Sequence, residues 1–246
     1  MENDKNQPVT LLKVGQQISQ LLSTAPISAR YLAFFAAASE QEACDEVEQK
    51  RDQWPSGVQQ VLRGLDLAGL TTSSRIFHVP PSYYEWPLYQ RALSMGAPSP
   101  AHLCKMVVME NKRWQPAHCK LGSSNGKQRN LRYIGVVVQY VETVNVSRMT
   151  DYVRTLSNNA IARNHFKFRL ADEHTAQKLT GFAKNGVSPV GMQQHIPLVV
   201  CAAIQRLRPP VVWVGGGDVD FKLAMPVQSL LDSTQSMVAD ISDPAQ

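Results

Sequence analysis

The chain has 246 residues, of which 43% are hydrophobic, and its formal net charge at pH 7 is +5. This length and composition argue against a disordered chain and suffice for one domain with a sizeable core, with or without an extension. No apolar run approaches the roughly eighteen residues of a membrane span, and the acidic start MENDKNQPVT lacks the layout of a signal peptide, so we expect a soluble, cytoplasmic protein.

Basic charge is concentrated after the first third of the chain. Residues 1–75 carry seven Lys and Arg against nine Asp and Glu, whereas residues 76–246 carry 18 against 11. A basic domain attracts polyanions through counterion release, but a solvated basic face without a partner has the same composition. Charge alone does not decide between these interpretations.

The first 70 residues have the periodicity of helices, and we predict a small helical extension there. Apolar residues recur at helical spacing and Pro26 and Pro55 interrupt the pattern. The predicted helices span residues 10–25, 28–39, 40–54 and 56–67.

A second unit begins near residue 76, and we place a mixed domain at residues 76–243. Its predicted strands are 76–79, 103–109, 133–144, 196–204 and 209–217, and its predicted helices are 149–158 and 226–238. A polar loop, KLGSSNGKQRN, separates the second and third strands. This irregular order of strands and helices predicts an α+β (mixed α/β) fold and not a repeating βαβ barrel.

The cysteines give no sign of a disulfide scaffold or a zinc site. They are scattered without a CxxC pair, at Cys44, Cys104, Cys119 and Cys201. Cys104 and Cys119 each have a histidine within two residues, but such pairs are poor chelates, and half-buried side chains explain them better. We predict no metal and no other cofactor.

The segment TGFAKNGVSPVG, residues 180–191, contains three glycines and a proline. Glycine at 181, 186 and 191 permits positive φ and close approach of a ligand to the backbone. The exposed amides of such a loop suit a carbonyl or carboxylate oxygen, although a plain connector has the same composition. The loop lacks the ending of a phosphate P-loop and the spacing of a dinucleotide fingerprint.

Two further features stand out. The run VGGGDVDFKLA, residues 214–224, either places amides, Asp218 or Asp220 near a pocket or is a tight turn into a helix. Lys105 lies inside the apolar run LCKMVV, where an ammonium either meets an anionic ligand or faces solvent from a half-exposed strand.

Taken in order, these features resemble the YbaK family of aminoacyl-tRNA deacylases, which is also similar to the editing domain inserted in bacterial prolyl-tRNA synthetases. The resemblance runs from about residue 77 to 241 and rests on FHVPPSYYEWPLYQRALSMGAPSPAHLCKMVV, LADEHTAQKLTGFAKNGVSPVGM and VVWVGGGDVDFKLAMPVQSLL. It implies a mixed, partly barrel-like sheet flanked by helices. Two departures are Met106, where Thr or Ser is common, and Val214, where Ser is common.

The resemblance also implies a set of functional residues. Catalysis is assigned to Lys105, Gly186, Pro189 and Gly191. Substrate binding is assigned to Gly181, Val187, Ser188, Tyr83, Tyr84, Met106, Gly215, Gly216 and Asp220. The tRNA body is expected on Lys112, Arg113, Lys120, Lys127, Arg129 and Arg132, or else on Arg148, Arg154, Arg163, Lys167 and Arg169.

The implied reaction is hydrolysis of the ester between a small amino acid, such as alanine or cysteine, and a mischarged tRNA, with tRNA-Pro as one candidate. No nucleophile–His–acid constellation is visible, so we predict catalysis by positioning, with a ribose hydroxyl or the substrate side chain as proton acceptor. The alternative is a catalytically inactive tRNA-binding or synthetase-associated module whose first 70 residues dock to a synthetase. Nucleotide binding through VGGGD is a third interpretation, without a phosphate-binding lysine motif to support it.

Overall fold

The computed structural model describes residues 53–118 and 131–245. The three helices predicted before residue 53 therefore lie outside the described residues, as does the polar loop at 120–130. The described chain forms ten strands: β1 (Arg75–His78), β2 (Cys104–Asn111), β3 (Tyr133–Gln139), β4 (Glu142–Val144), β5 (Phe168–Leu170), β6 (Leu198–Cys201), β7 (Val211–Gly215), β8 (Phe221–Pro226), β9 (Met237–Ala239) and β10 (Ser242–Pro244). Its α-helices are α1 (Ser56–Leu67), α2 (Leu88–Ser94), α3 (Val146–Thr155), α4 (Glu173–Thr180), α5 (Ala202–Gln205) and α6 (Val227–Thr234).

These strands form an α+β fold, as predicted, built on a five-stranded sheet. The order in this sheet is β5-β2-β3-β6-β9, with β2 and β3 antiparallel and β6 parallel to both β3 and β9. A second sheet has the order β1-β8-β7, and β4 pairs with β10. Within the described residues none of the sheets closes into a barrel, so the partly barrel-like sheet that we expected is open.

Helix α1 has the predicted bounds and belongs to the core. Its apolar residues recur at helical spacing, and Val61 and Leu65 are buried in the main hydrophobic cluster together with residues of β2, β3 and β6. Whether residues 1–52 form a separate extension stays a prediction. The last predicted helix of that extension packs as part of the mixed domain.

Four predicted elements differ from the structure, each because local pattern does not show where a strand stops. The predicted strand 133–144 is interrupted after Gln139, and the strand in 196–204 ends at Cys201 and continues into α5. The closing helix stops at Thr234 and is followed by β9. The glycine run leads into strand β8 and not into a helix. Five of the six residues of β8 are buried between β1 and β7, so its sequence shows no alternation of polar and apolar residues.

No helix in the described ranges is long and apolar enough to cross a membrane.

Candidate active site

The candidate site is a cavity of about 520 Å³ beside the N-terminal half of β2. Its walls come from β2, the segment after α4, the end of β7 and the start of β8. The lining residues are Tyr84, Cys104, Lys105, Met106, Val107, Val108, Tyr140, Leu170, Ala171, Glu173, Ala176, Phe182, Lys184, Asn185, Val187, Gly215 and Lys222. This cavity, called the lysine pocket below, has the size of an ordinary small-molecule site.

Lys105 lies in the lysine pocket as a half-buried cation. On β2 its side chain alternates with those of Cys104 and Met106, which are buried. Its Nζ lies 5.3 Å from the centre of the Tyr140 ring, and among the described residues it makes no ion pair or hydrogen bond. An ammonium held against an aromatic face without a counter-ion is available to an anionic or carbonyl ligand.

The loop after α4 contributes to the lysine pocket two residues whose backbone N–H groups donate no hydrogen bond to another described residue. Helix α4 ends at Gly181, whose φ of +84° is left-handed, and the chain then turns through Asn185, at φ +66°. The amide of Gly186 is used within the loop, donating to the Ala183 carbonyl at 3.1 Å. Within the described part of the chain, the amides of its neighbours Asn185 and Val187 donate no hydrogen bond.

Glycine is required in this region by close packing of backbone on backbone. A Cβ at Gly186 would lie 2.8 Å from the Cα of Asp218, and one at Gly215 would overlap the Val187 carbonyl. The two glycine runs found in the sequence therefore pack directly against each other. This contact places Val187 beside the end of β7.

Several residues expected at the site lie elsewhere. Pro189 and Gly191 line a separate cavity of about 380 Å³ with Gly64 and His195, and not the lysine pocket. The others make contacts within the protein and do not line the pocket. Gly181 packs on Gln60, and the buried Ser188 hydroxyl accepts a hydrogen bond from the Val190 amide. The Gly216 amide donates to the Phe221 carbonyl, and the Asp220 carbonyl accepts from the Val79 amide. Of the expected set, the structure brings Lys105, Met106, Tyr84, Val187 and Gly215 to the lysine pocket.

The two tyrosines occupy different positions. Tyr84 lines the lysine pocket and its hydroxyl donates to the Asn185 carbonyl at 3.0 Å, which ties the aromatic segment to the loop. Tyr83 lies behind it, 3% exposed, with the two rings edge to face at 5.3 Å. Burial raises the pKa of both hydroxyls well above the ordinary value, so both stay neutral in solution near neutrality.

The two departures from the family pattern are core residues. Val214 is 1% exposed and packs in the main cluster. Met106 is 5% exposed, and its Cε lies over Gly135, 2.6 Å from where a Cβ there would be. Neither departure therefore removes a cation or a free amide from the lysine pocket.

Lys222 is the site residue that sequence reasoning missed. It lies on β8, opposite Gly215 in the β7–β8 register, and is 6% exposed. Its Nζ donates to the carbonyls of Val219 and Phe221, at 2.6 and 3.2 Å. The signal was present, because DFKLAMP places a lysine in an apolar run just as LCKMVV does, but the segment was not recognised as a strand.

A second, larger depression shares part of its lining with the lysine pocket. Its volume is about 880 Å³, and we call it the basic groove. Lys105, Val107 and Leu170 line both cavities. The other lining residues are Met109, Val138, Thr143, Val144, Val146, Ser147, Thr150, Arg163, Phe166, Lys167, Phe168 and Arg169. Arg163 pairs with Asp151 at 2.8 Å, whereas Lys167 and Arg169 make no side-chain ion pair with any described residue.

The first set of expected tRNA contacts is partly neutralised. Lys112 and Arg132 both pair with Glu110. Burial alone would raise the pKa of the Glu110 carboxyl, but hydrogen bonds from Lys112 and Arg132 hold it below the ordinary value, so Glu110 stays charged. Arg113 donates to the Asn164 carbonyl at 2.7 Å. Lys120, Lys127 and Arg129 lie outside the described residues.

The described residues contain no group of three or more His, Cys, Asp and Glu side chains that could hold a metal ion. His102, beside Cys104 in the sequence, has both ring nitrogens occupied, by the Ser99 hydroxyl at 3.0 Å and the Pro209 carbonyl at 3.2 Å. Burial lowers the pKa of its imidazole. This histidine is a structural residue.

No family model matches the sequence, and no curated protein matches it. Solved structures do match the fold. A proposed trans-editing enzyme for prolyl-tRNA synthetase superposes with a TM-score of 0.59 at 19% identity, over 77% of this chain and 99% of that one. A scaffold protein from computational design for presenting linear epitopes gives 0.58 at 17% identity, over 78% and 100%. A hypothetical protein gives 0.54 at 20%, over 75% and 99%. At these identities the likeness establishes a shared fold.

Proposed function

We propose that this protein is an aminoacyl-tRNA deacylase, which hydrolyses the ester of a mischarged tRNA. The observation that carries the proposal is that one pocket is lined by Lys105, Asn185 and Val187, and that within the described ranges neither the Lys105 amine nor the amides of the other two have a hydrogen-bond partner. The fold that it shares with a proposed trans-editing enzyme adds support, as does the resemblance of its motifs to the YbaK family.

The pocket provides the chemistry that ester hydrolysis needs. An ester carbonyl develops negative charge as water attacks, and fixed N–H donors and a cation stabilise that charge most where water is excluded. The Asn185 and Val187 amides supply such donors, and Lys105 supplies the cation. No covalent nucleophile is required, because holding the ester in a reactive geometry itself lowers the barrier.

The pocket also limits the substrate. Val107 and Val187 give it apolar wall, so the small amino acids alanine and cysteine suit it better than charged ones, including when attached to tRNA-Pro. An apolar pocket separates neighbours that differ by one methylene by only about 1–3 kcal/mol. We therefore expect partial selectivity among small amino acids.

The RNA strand is best accommodated in the basic groove. This groove meets the lysine pocket at Lys105, so a chain whose end enters the pocket continues along it. Lys167 and Arg169 line it and make no side-chain ion pair with any residue that the structure describes, while Lys112 and Arg132 are already paired with Glu110. Phosphate contacts of this kind supply affinity independent of sequence.

The test is release of amino acid from tRNAs charged with alanine, cysteine, serine and proline. Wild-type protein is expected to release one or two of these above the spontaneous rate. Lys105→Ala is expected to lose about a hundredfold or more in rate, the usual cost of removing one well-placed charge donor. Lys178→Ala is the matched control, because Lys178 is an exposed lysine on α4 that does not line the pocket.

Absence of release from every substrate would contradict the proposal and leave the non-catalytic module. That alternative assigns the protein to tRNA binding or to a synthetase complex, with residues 1–70 as the docking segment. Binding of the same tRNAs without hydrolysis would be its signature.

A further inference from the structure

Lys222 is a lysine buried in the wall of the lysine pocket, and the deacylase chemistry described above does not use it. Its neighbour across the β7–β8 ladder is Gly215, where an added Cβ would overlap the Val187 carbonyl. The amine therefore lies beside the loop that carries the free amides. Two tyrosine rings cover it, with centres 5.1 Å (Tyr83) and 5.0 Å (Tyr84) from Nζ.

The hydrogen bonds that the Lys222 amine donates determine whether its lone pair is free. Nζ donates to the Val219 and Phe221 carbonyls. A neutral amine has two N–H bonds and one lone pair, so the two carbonyls occupy both of its N–H bonds. The lone pair then remains to accept a hydrogen bond, and Lys222 lines the cavity from which a water could donate one.

We propose that Lys222 is the general base of the ester hydrolysis. This inference rests on the deacylase function proposed above. The Lys222 amine takes a proton from a water molecule while the water oxygen bonds to the ester carbonyl carbon. The bond between that carbon and the ribose oxygen then breaks. The ribose oxygen leaves with a proton returned by the ammonium, and the amino acid leaves as its carboxylate form after losing the acid proton to solvent.

The surroundings bring the amine into the range where a base is effective. Burial is the main cause that lowers the pKa of Lys222 to about 8. The negative charges of Asp220 and Asp218 raise this pKa, and the positive charge of Arg91 lowers it slightly. Tyr83 and Tyr84 are neutral because burial raises the pKa of each, so they add no charge. The other ionisable side chains that line the same pocket are Cys104, Lys105, Tyr140, Glu173 and Lys184, of which Glu173 and Lys184 pair with each other. A base whose pKa lies near the working pH combines sufficient basicity with a populated neutral form.

The proposal differs from the mechanism expected from the sequence, in which a ribose hydroxyl or the substrate side chain accepts the proton. Both mechanisms use Lys105 and the loop amides. They differ in whether the rate follows the titration of a protein amine.

The decisive experiment measures single-turnover deacylation between pH 6 and 9.5 after subtraction of spontaneous hydrolysis. Wild-type rate is expected to rise about tenfold per pH unit and to level off near pH 8. Lys222→Met and Lys222→Arg are expected to lose about a hundredfold or more and to lose the inflection, since arginine keeps the charge but cannot deprotonate. Lys178→Met is the control and should keep the wild-type profile.

Each outcome bears on one proposal. A Lys222 variant that keeps the wild-type rate and the same inflection overturns the role of Lys222 and leaves the deacylase intact. A wild-type protein without activity on any substrate overturns both. Loss of activity on a tRNA ending in 2′-deoxyadenosine, together with a pH profile on the normal tRNA that the Lys222 variants share with the wild type, assigns the base to the ribose and also overturns this inference.

A second measurement applies if the variants do not fold. The wild-type protein is treated with acetic anhydride across the same pH range, and acetylation of Lys222 is followed by mass spectrometry. Reactivity with a midpoint near pH 8 supports the proposal. A midpoint at the ordinary lysine value overturns it.

Discussion

Two lysines in apolar strands have different environments because one reaches the cavity from its edge and the other lies inside its wall. Lys105 is half-buried and rests on one tyrosine ring, so it remains partly hydrated. Lys222 is 6% exposed, so it is largely removed from water. Removing an ammonium from water costs free energy, so the buried lysine is the one whose protonation is coupled to folding.

That coupling predicts how stability depends on pH. The Lys222 pKa is about 8 in the folded protein and about 10.5 in the unfolded chain, so between these values the unfolded state binds more protons and stability rises with pH. The free energy of unfolding of the wild type relative to Lys222→Met should therefore increase by about 3 kcal/mol between pH 8 and 10.5. Urea unfolding at several pH values measures it.

Taking the difference between the two proteins removes contributions common to both, including the raised pKa of Tyr83, Tyr84 and the Cys201 thiol. A difference that stays constant over this range would show that Lys222 is charged in the folded protein and would also count against its role as a base.

At the scale of elements, helix α1 positions both glycine loops. A Cβ at Gly57 would overlap the Gly217 carbonyl, and one at Gly64 would lie 2.7 Å from the Cα of Gly191. Gln60, between them, donates to the carbonyls of Thr180 and Gly191 at 2.8 and 2.6 Å. The helix therefore supports the loop that forms the wall of the lysine pocket.

This packing reverses the expected effect of a substitution. In an isolated helix, replacing Gly64 by alanine would stabilise by about 0.5–1 kcal/mol. In this protein we expect Gly64→Ala to destabilise by about 1–3 kcal/mol, because the added methyl meets backbone that cannot yield without shifting the loop. Chemical denaturation measures the change. Arg63→Ala, at the exposed neighbouring position, should stay within about 0.5 kcal/mol of wild type. Stabilisation by Gly64→Ala would mean that the helix does not pack on the loop.

At the scale of the whole molecule, the basic groove continues the lysine pocket across the surface. The two sets of cations considered for tRNA binding differ in whether they line this groove. The groove set includes Lys167 and Arg169, both free of side-chain ion pairs among the described residues, whereas Lys112 and Arg132 share Glu110. A paired cation must give up its partner before it can neutralise a phosphate, so we expect RNA to bind the groove set at lower cost in free energy.

The salt dependence of tRNA binding tests this placement. Lys167→Ala and Arg169→Ala are each expected to weaken binding equally for all tRNAs. Each should also reduce the magnitude of the slope of log K against log salt concentration by about 1, the value for one lost phosphate contact. Filter binding or fluorescence anisotropy at several salt concentrations measures the slope. Arg206→Ala removes an exposed arginine of the α5 end and should leave the slope unchanged. An unchanged slope in the groove variants, with a reduced one in Lys112→Ala, would place the RNA on the Glu110 side.

The sequence alone determined the α+β class, the bounds of α1, the position of β2 and the glycines of the loops, since apolar periodicity and glycine content are local properties. It also singled out Lys105, which lines the lysine pocket and whose role stays a prediction. Only the tertiary structure decided which parts of the loops meet the pocket: Val187 lines the same cavity as Lys105, while Pro189 and Gly191 line another cavity beside α1. Strand β8 could not be assigned from the sequence, because a strand buried on both faces has no alternation of polar and apolar residues. The environment of Lys222 could not be assigned either, because it depends on the carbonyls and aromatic rings that the fold places around the amine.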